Sequence, residues 1–84
     1  MKGQINVGYE IIESISLEDE SYVLGQKQVY GQYQFVTWMK KGDLYYHGHY
    51  TMDYLSAKID LRERAKRSLE WEIEQLMKQG GYTK

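Results

Sequence analysis

Both histidines of the chain lie in one short aromatic segment, residues 45–50, which reads YYHGHY. Its composition is typical of a β-strand, where residues i and i+2 point to the same face, so His47 and His49 are expected side by side. Two adjacent imidazoles can chelate a metal ion when a carboxylate joins them. Carboxylates that could supply the oxygen ligand are Asp43, Asp53 and Glu13. No third ligand stands at a diagnostic spacing, so metal binding is a minor alternative to a plain surface role.

Other catalytic patterns have little support in this sequence. The chain has no cysteine nucleophile, no serine in a G-x-S-x-G elbow and no glycine-rich loop with phosphate-binding spacing. Glu10 and Glu13 are close in sequence, but nothing indicates that their pKa values differ as an acid–base pair requires. We therefore expect no enzyme activity and no cofactor.

Length and composition favour a single domain spanning residues 1–84. The formal net charge of −1 gives no global field that would attract nucleic acid or an acidic membrane. There is no cysteine, no proline, no apolar run of membrane-spanning length and no leader-like N-terminus, which together predict a cytoplasmic protein without a membrane partner. Nine tyrosines, two tryptophans and one phenylalanine are available for a core.

Residues 4–50 alternate between apolar and polar side chains, which predicts an antiparallel β-meander of about four strands. The turns are expected at residues 18–21, at Gly31-Gln32 and at residues 40–43, with Gly25 as a possible bulge. In the first strand the odd-numbered residues are apolar except Glu13, which predicts one buried face on a long strand bent near that residue. These residues are Ile5, Val7, Tyr9, Ile11, Ile15 and Leu17.

Residues 52–79 have the pattern of one long helix, capped by Thr51 or Asp53 and ended by Gly80-Gly81, with a tail at residues 80–84. At about 100° per residue, seven apolar side chains fall on one arc of this helix, which is expected to cover one face of the sheet. They are Leu55, Ile59, Ala65, Leu69, Ile73, Leu76 and Met77. The predicted fold is therefore α+β, an antiparallel meander followed by one long C-terminal helix.

The distal half of this helix is expected to extend past the sheet, because about 42 Å of helix is longer than short strands can cover. Arg62 and Lys66 fall inside the apolar arc, whereas Trp71 falls on the opposite side. A basic middle followed by an acidic turn would let two copies pair antiparallel about Ser68, which predicts a homodimer. The interface candidates are Trp71, Ile73, Leu76, Met77, Arg62 and Lys66. The alternative is that these charges only solvate a surface helix.

The sheet face away from the helix is the second candidate surface, with Trp38, Tyr45, His47 and His49 as its residues. Gly48 marks the close approach of another group, either the helix or the ring of Trp38. A hairpin that pairs Met39 with Leu44 would place Trp38 opposite Tyr45 and turn Gly48 toward the helix, but the sequence does not fix this register. Exposed aromatic rings on a sheet can stack on nucleic-acid bases, with Lys27, Lys40 and Lys41 at the rim. Nucleic-acid binding through this face is therefore the alternative function, and metal binding by the histidines is a minor one.

Three phrases of the chain carry a family resemblance: YEIIESI at residues 9–15, VTW at 36–38 and GHY at 48–50. With them the chain resembles small uncharacterised proteins carried on plasmids, integrative elements and phages of Gram-positive bacteria. The resemblance implies an accessory protein that acts by binding, on host defence or element transfer, and transfers no functional residue. The function predicted is a non-enzymatic binding or regulatory protein that works through protein–protein contacts as a homodimer.

Overall fold

The computed structural model of the chain describes residues 5–80, with the side chain of Ile5 left out. Five antiparallel strands, in the spatial order β1-β2-β3-β4-β5, are followed by one helix. The elements are β1 (Ile5–Asn6), β2 (Tyr9–Ser16), β3 (Ser21–Val29), β4 (Gln32–Lys41), β5 (Leu44–Thr51) and α1 (Tyr54–Gln79). The predicted α+β class and the meander are confirmed, and the two-residue β1 is an addition to the four long strands. Most of the predicted 80–84 tail lies outside the described residues.

The hairpin turns follow local backbone chemistry. Tyr30 and Gly31 have φ values of 51° and 80°, the pair of positive values that a two-residue type I′ turn requires. The turn predicted at Gly31-Gln32 is therefore displaced by one residue. Gly42-Asp43 connects β4 to β5 inside the predicted 40–43 turn, because Lys41 pairs with Leu44.

The first strand is not one long strand with a single buried face, as the odd-numbered pattern predicted. Val7 has a φ of 53° and is 75% exposed, so the chain turns at Val7-Gly8 and β1 folds back on β2. A bulge between Ile11 and Glu13 then shifts the alternation by one residue. The predicted bulge at Gly25 is thus on the opposite strand, since Gly25 is the partner of Ile11.

The bulge distributes the β2 side chains between two clusters on opposite faces of the sheet. Ile12, Ile15 and Leu17 pack on the helix side. That cluster has as its buried members Tyr22, Leu24, Phe35, Ala57, Leu61 and Ala65. Tyr9 and Ile11 belong to the opposite face, together with Val23, Val36 and Trp38.

The helix packs through a different face from the predicted apolar arc. Only Ala65 of the predicted arc is buried, and the packing face also uses Ala57, Leu61 and Arg64. Two alanines let the helix backbone approach the sheet closely, which long side chains on the arc would prevent. Asp53 is the N-cap, because its carboxylate accepts the backbone N–H of Ser56 at 2.9 Å.

The far sheet face is closed by aromatic rings instead of being an open platform. Trp38 is only 4% exposed and lies edge-on to Tyr9 and Tyr45, with centroid distances of 5.6 and 5.3 Å. The ring of Tyr50 is also edge-on to that of Trp38, with a centroid distance of 6.5 Å. The prediction that Trp38 is an exposed contact residue is therefore wrong, because its neighbours cover it.

The last hairpin has a different register from the expected one, because its turn has two residues and Tyr45 pairs with Lys40. A second bulge, in β5, then shifts the ladder between Met39 and Thr37, so that His47 and Gly48 together lie opposite Trp38. His47 has a φ of 55°, which a non-glycine residue adopts rarely. A Cβ on Gly48 would lie 2.9 Å from Trp38 Nε1, so glycine is needed for close approach of this ring and not because it faces the helix.

The distal half of α1 extends beyond the sheet, as predicted. Twenty-six residues give a helix of about 39 Å, yet its buried residues end at Ala65. The molecule measures 55 × 24 × 17 Å, and its 14.9 Å radius of gyration exceeds the roughly 12 Å of a compact chain this long. Within residues 5–80 no helix has both the length and the apolar character to cross a membrane.

Candidate functional site

The two histidines do not form a pair. His49 lies on the helix side of β5, where its Nδ1 is 3.0 Å from Asp60 Oδ2 of α1. His47 is exposed beyond the bulge, with its ring 6.2 Å from that of Tyr46. The bulge breaks the i, i+2 alternation on which the predicted pair depended. In the described part of the chain, no three His, Cys, Asp or Glu side chains are grouped as a metal site.

Three carboxylates hold the proximal half of α1 to the sheet. Glu13 of β2 receives hydrogen bonds from Tyr54, from Lys58 at 3.0 Å and from Arg62 at 3.3 Å. Burial raises the pKa of Glu13, but these donors outweigh it and the net pKa is lowered.

The other two carboxylates are Glu20 of the β2–β3 turn and Asp60 of α1 itself. Hydrogen bonds from Tyr22 and Ser68 lower the pKa of Glu20 at the β2–β3 turn. Burial raises the pKa of Asp60, but the hydrogen bonds from Thr37 and His49 reverse this, so its net pKa is also lowered. All three groups therefore favour the docked helix when they are ionised.

We expect the helix to undock in acid. A carboxylate with a lowered folded-state pKa contributes stability above its unfolded value, near pH 4, and loses it as the pH falls through the folded value. The melting temperature should fall steadily below about pH 4.5. Glu13→Gln should cost about 1 kcal/mol at pH 7 and make the acid slope shallower, measured by circular dichroism across pH 2–7. Glu63→Gln, at an exposed helix position, is the control and should leave the slope unchanged; equal slopes in both variants would contradict the assignment.

The most extensive exposed feature is a stripe along α1. Its residues, whose spacing alternates between four and three, are named here the helix stripe. They are Leu55, Ile59, Arg62, Lys66, Leu69, Ile73 and Leu76. This is the a/d spacing of a coiled coil, with Ile at a, Leu at d and two cations in the middle. Its five apolar side chains are 42–64% exposed, and Met77 beside them is 42% exposed. At about 100° per residue the stripe lies roughly a third of a turn from the sheet-facing residues.

Trp71 is also exposed, at 63%, but it lies on the other side of the helix from the stripe. It borders a groove of about 380 Å³ between α1 and two sheet turns. The groove is lined by Leu17, Glu18, Asp19, Glu20, Tyr22, Lys41, Ser68, Trp71 and Glu72. The predicted interface set is therefore divided, because Trp71 does not share a surface with Ile73, Leu76, Met77, Arg62 and Lys66.

Several residues that matter in the structure were assigned differently from the sequence. Leu55, Ile59 and Leu69 were expected in the core, but the structure places them on the helix stripe. No contact with the sheet was predicted for Asp60 and Arg64, although they join α1 to β4 and β5. The signal that could have identified the packing face is the series Ala57, Leu61 and Ala65, which has helical spacing but little hydrophobic area.

Of the candidate surface predicted on the far sheet face, only a small area around Tyr45 remains. Tyr45 is half-buried beneath Lys40, whose Nζ lies 5.7 Å from the ring centroid. Tyr33 points to the helix side, where its ring stacks on Phe35 at 6.3 Å. Within residues 5–80, the exposed ring on this face is that of Tyr50, at 65%, and a single ring is not the row that stacking on successive bases requires.

Comparison of the chain with protein-family models, with curated proteins and with solved structures finds no match.

Proposed function

We propose that this protein is a non-enzymatic binding or regulatory accessory protein that acts through protein–protein contacts, and that the helix stripe makes it a homodimer. The single observation that carries the proposal is the helix stripe, an apolar a/d series that remains exposed when the helix packs through another face. Its apolar part is contiguous over Leu69, Ile73 and Leu76, with Met77 beside them, and an exposed apolar surface of this kind marks an interaction site. Action within a mobile genetic element is the setting that the family resemblance suggests for it.

Dimerisation would remove the apolar side chains of the helix stripe from water. Burying an Ile or Leu side chain contributes about 1.5–3 kcal/mol, and a two-fold interface buries each side chain twice. The overhanging half of α1 supplies Leu69, Ile73 and Leu76, none of which is buried in the monomer. An isolated half-helix of this length is marginal in water, so a partner would also stabilise its helical form.

The test compares one charge placed on the stripe with the same charge placed off it. Ile73→Lys and Trp71→Lys lie two residues apart on the overhang, at 54% and 63% exposure. We expect the wild type and Trp71→Lys to sediment as dimers at tens of micromolar, and Ile73→Lys as a monomer. The loss should be at least about 100-fold in Kd, from some 3 kcal/mol of burial across two copies.

Circular dichroism is the accompanying control, because both variants should retain a folded sheet and helix. A wild type that sediments as a monomer would overturn the homodimer. Equal weakening by both substitutions would overturn the assignment of the helix stripe as the interface.

A further inference from the structure

We infer that the second copy lies antiparallel on the helix stripe, with the two-fold axis between Arg67 and Ser68, so that each overhang covers the sheet-backed half of the other helix. This arrangement rests on the proposed homodimer and specifies its geometry. It gives the position and direction of the partner helix, neither of which follows from dimerisation itself.

The two cations of the stripe argue against a parallel pair. In a parallel coiled coil, a residues face a residues and d residues face d residues. Arg62 would then face its own copy, and Lys66, one layer on, would do the same. Four like charges would meet at the centre of an apolar seam. Their repulsion and desolvation would cost more free energy than burial of the apolar side chains contributes.

An antiparallel pair centred between Arg67 and Ser68 removes this conflict, because a residues then face d residues. Ile59 lies opposite Leu76 of the second copy, Arg62 opposite Ile73, and Lys66 opposite Leu69. Each cation is thus set against an apolar side chain, over which its long aliphatic stem can pack while its charge reaches water.

Charge is complementary in this register. Residues 58–67 of α1 carry five basic and two acidic side chains, whereas residues 68–78 carry three acidic and one basic. The two-fold axis places the basic segment of each copy beside the acidic segment of the other. Lys66 comes next to Glu70 of the second copy, and both side chains are exposed in the monomer.

The extent of the sheet independently limits how close to the N-terminus of α1 the two-fold axis can lie. Ser68, whose hydroxyl donates to Glu20 at 2.7 Å, makes the last hydrogen bond between α1 and the sheet in the described range. The stripe lies toward β2, since Arg62 on it reaches Glu13 of that strand. With the axis at Ser68, the partner's bare overhang passes this flank of the sheet. A centre nearer the N-terminus would instead bring the two sheets against each other.

Single-cysteine crosslinking tests the arrangement, because the chain has no cysteine of its own. Ile59→Cys and Leu76→Cys are prepared separately, one with a mass tag, then mixed in a glutathione redox buffer and analysed by non-reducing gel and mass spectrometry. We expect the mixed 59–76 disulfide in about tenfold excess over either homodisulfide, since only cysteines with Cα atoms within about 7 Å are bridged.

The possible failures are distinguishable from one another. Homodisulfides at both positions would overturn the antiparallel direction and leave the homodimer standing. A dimer by sedimentation with no disulfide of either kind would overturn the register. A monomer by sedimentation would remove the homodimer itself, and the arrangement with it.

Discussion

Trp38→Ala is expected to lower the free energy of unfolding by about 3–5 kcal/mol, the range for deleting a buried large aromatic side chain. Trp38 is 4% exposed and contacts Tyr9, Tyr45 and Tyr50, so its removal leaves a cavity bounded by rings that cannot all collapse into it. For a domain of this size the total stability is only a few kcal/mol, so most of the variant should be unfolded at 37 °C. Urea denaturation followed by far-UV circular dichroism, at one fixed protein concentration, measures the change.

Trp71→Ala is the matched control for this prediction. The same substitution at 63% exposure should change the free energy of unfolding by less than about 0.5 kcal/mol when the oligomeric state is unchanged. If Trp38→Ala unfolded at the wild-type urea concentration, the buried aromatic cluster would not be the second core of the domain. The prediction that exposed aromatic side chains on the far sheet face bind a ligand would then stand again.

The helix shows both what the sequence predicts and where prediction stops. Its bounds follow from local chemistry, since Asp53 caps the first turn and the amide of Gly80 donates to the carbonyls of Leu76 and Lys78 at the end. Its orientation does not, because the most apolar periodic face is the helix stripe and not the face against the sheet. Hydrophobic periodicity identifies the surface with the largest apolar area, but a partner outside the chain can cover such a surface as well as the chain's own core.

The strands show a different limit. Alternation predicts which residues share a face only while the register is uninterrupted, and one extra residue reverses every position after it. The bulge between Ile11 and Glu13 moved Tyr9 and Ile11 to the face opposite Ile12 and Ile15. The bulge at His47 separated the two imidazoles in the same way. A glycine adjoins each bulge, since Gly48 follows His47 and Gly25 pairs with Ile11, but a glycine within a strand does not specify which residue is the extra one.

Arg64→Ala is the second substitution with a large expected effect, about 2–4 kcal/mol of lost stability. Arg64 is 7% exposed and donates from Nη1 to the carbonyl oxygen and hydroxyl of Thr37, at 3.0 and 3.1 Å. Its guanidinium also lies 5.6 Å from the ring centroid of Tyr22. Truncation removes these contacts and the cation that helps to keep Asp60 ionised. Arg67→Ala, exposed one turn further along, is the control and should change stability by less than about 0.5 kcal/mol.

The further consequence of Arg64→Ala concerns which face of α1 packs on the sheet. In the wild type the hydrogen bonds of Arg64 are made in one rotation of the helix only, whereas the apolar contacts of Ala57, Leu61 and Ala65 are non-directional. Without Arg64 the helix stripe offers more apolar area to the sheet than the native face does, so the two rotations become closer in free energy. Amide hydrogen exchange should therefore accelerate throughout residues 57–65 in Arg64→Ala. Arg64→Met, which keeps most of the packing on Tyr22 but none of the hydrogen bonds, should show the same acceleration with a smaller loss of stability. Native exchange rates in both variants would mean that packing and the hydrogen bonds of Glu13, Glu20 and Asp60 orient the helix without Arg64.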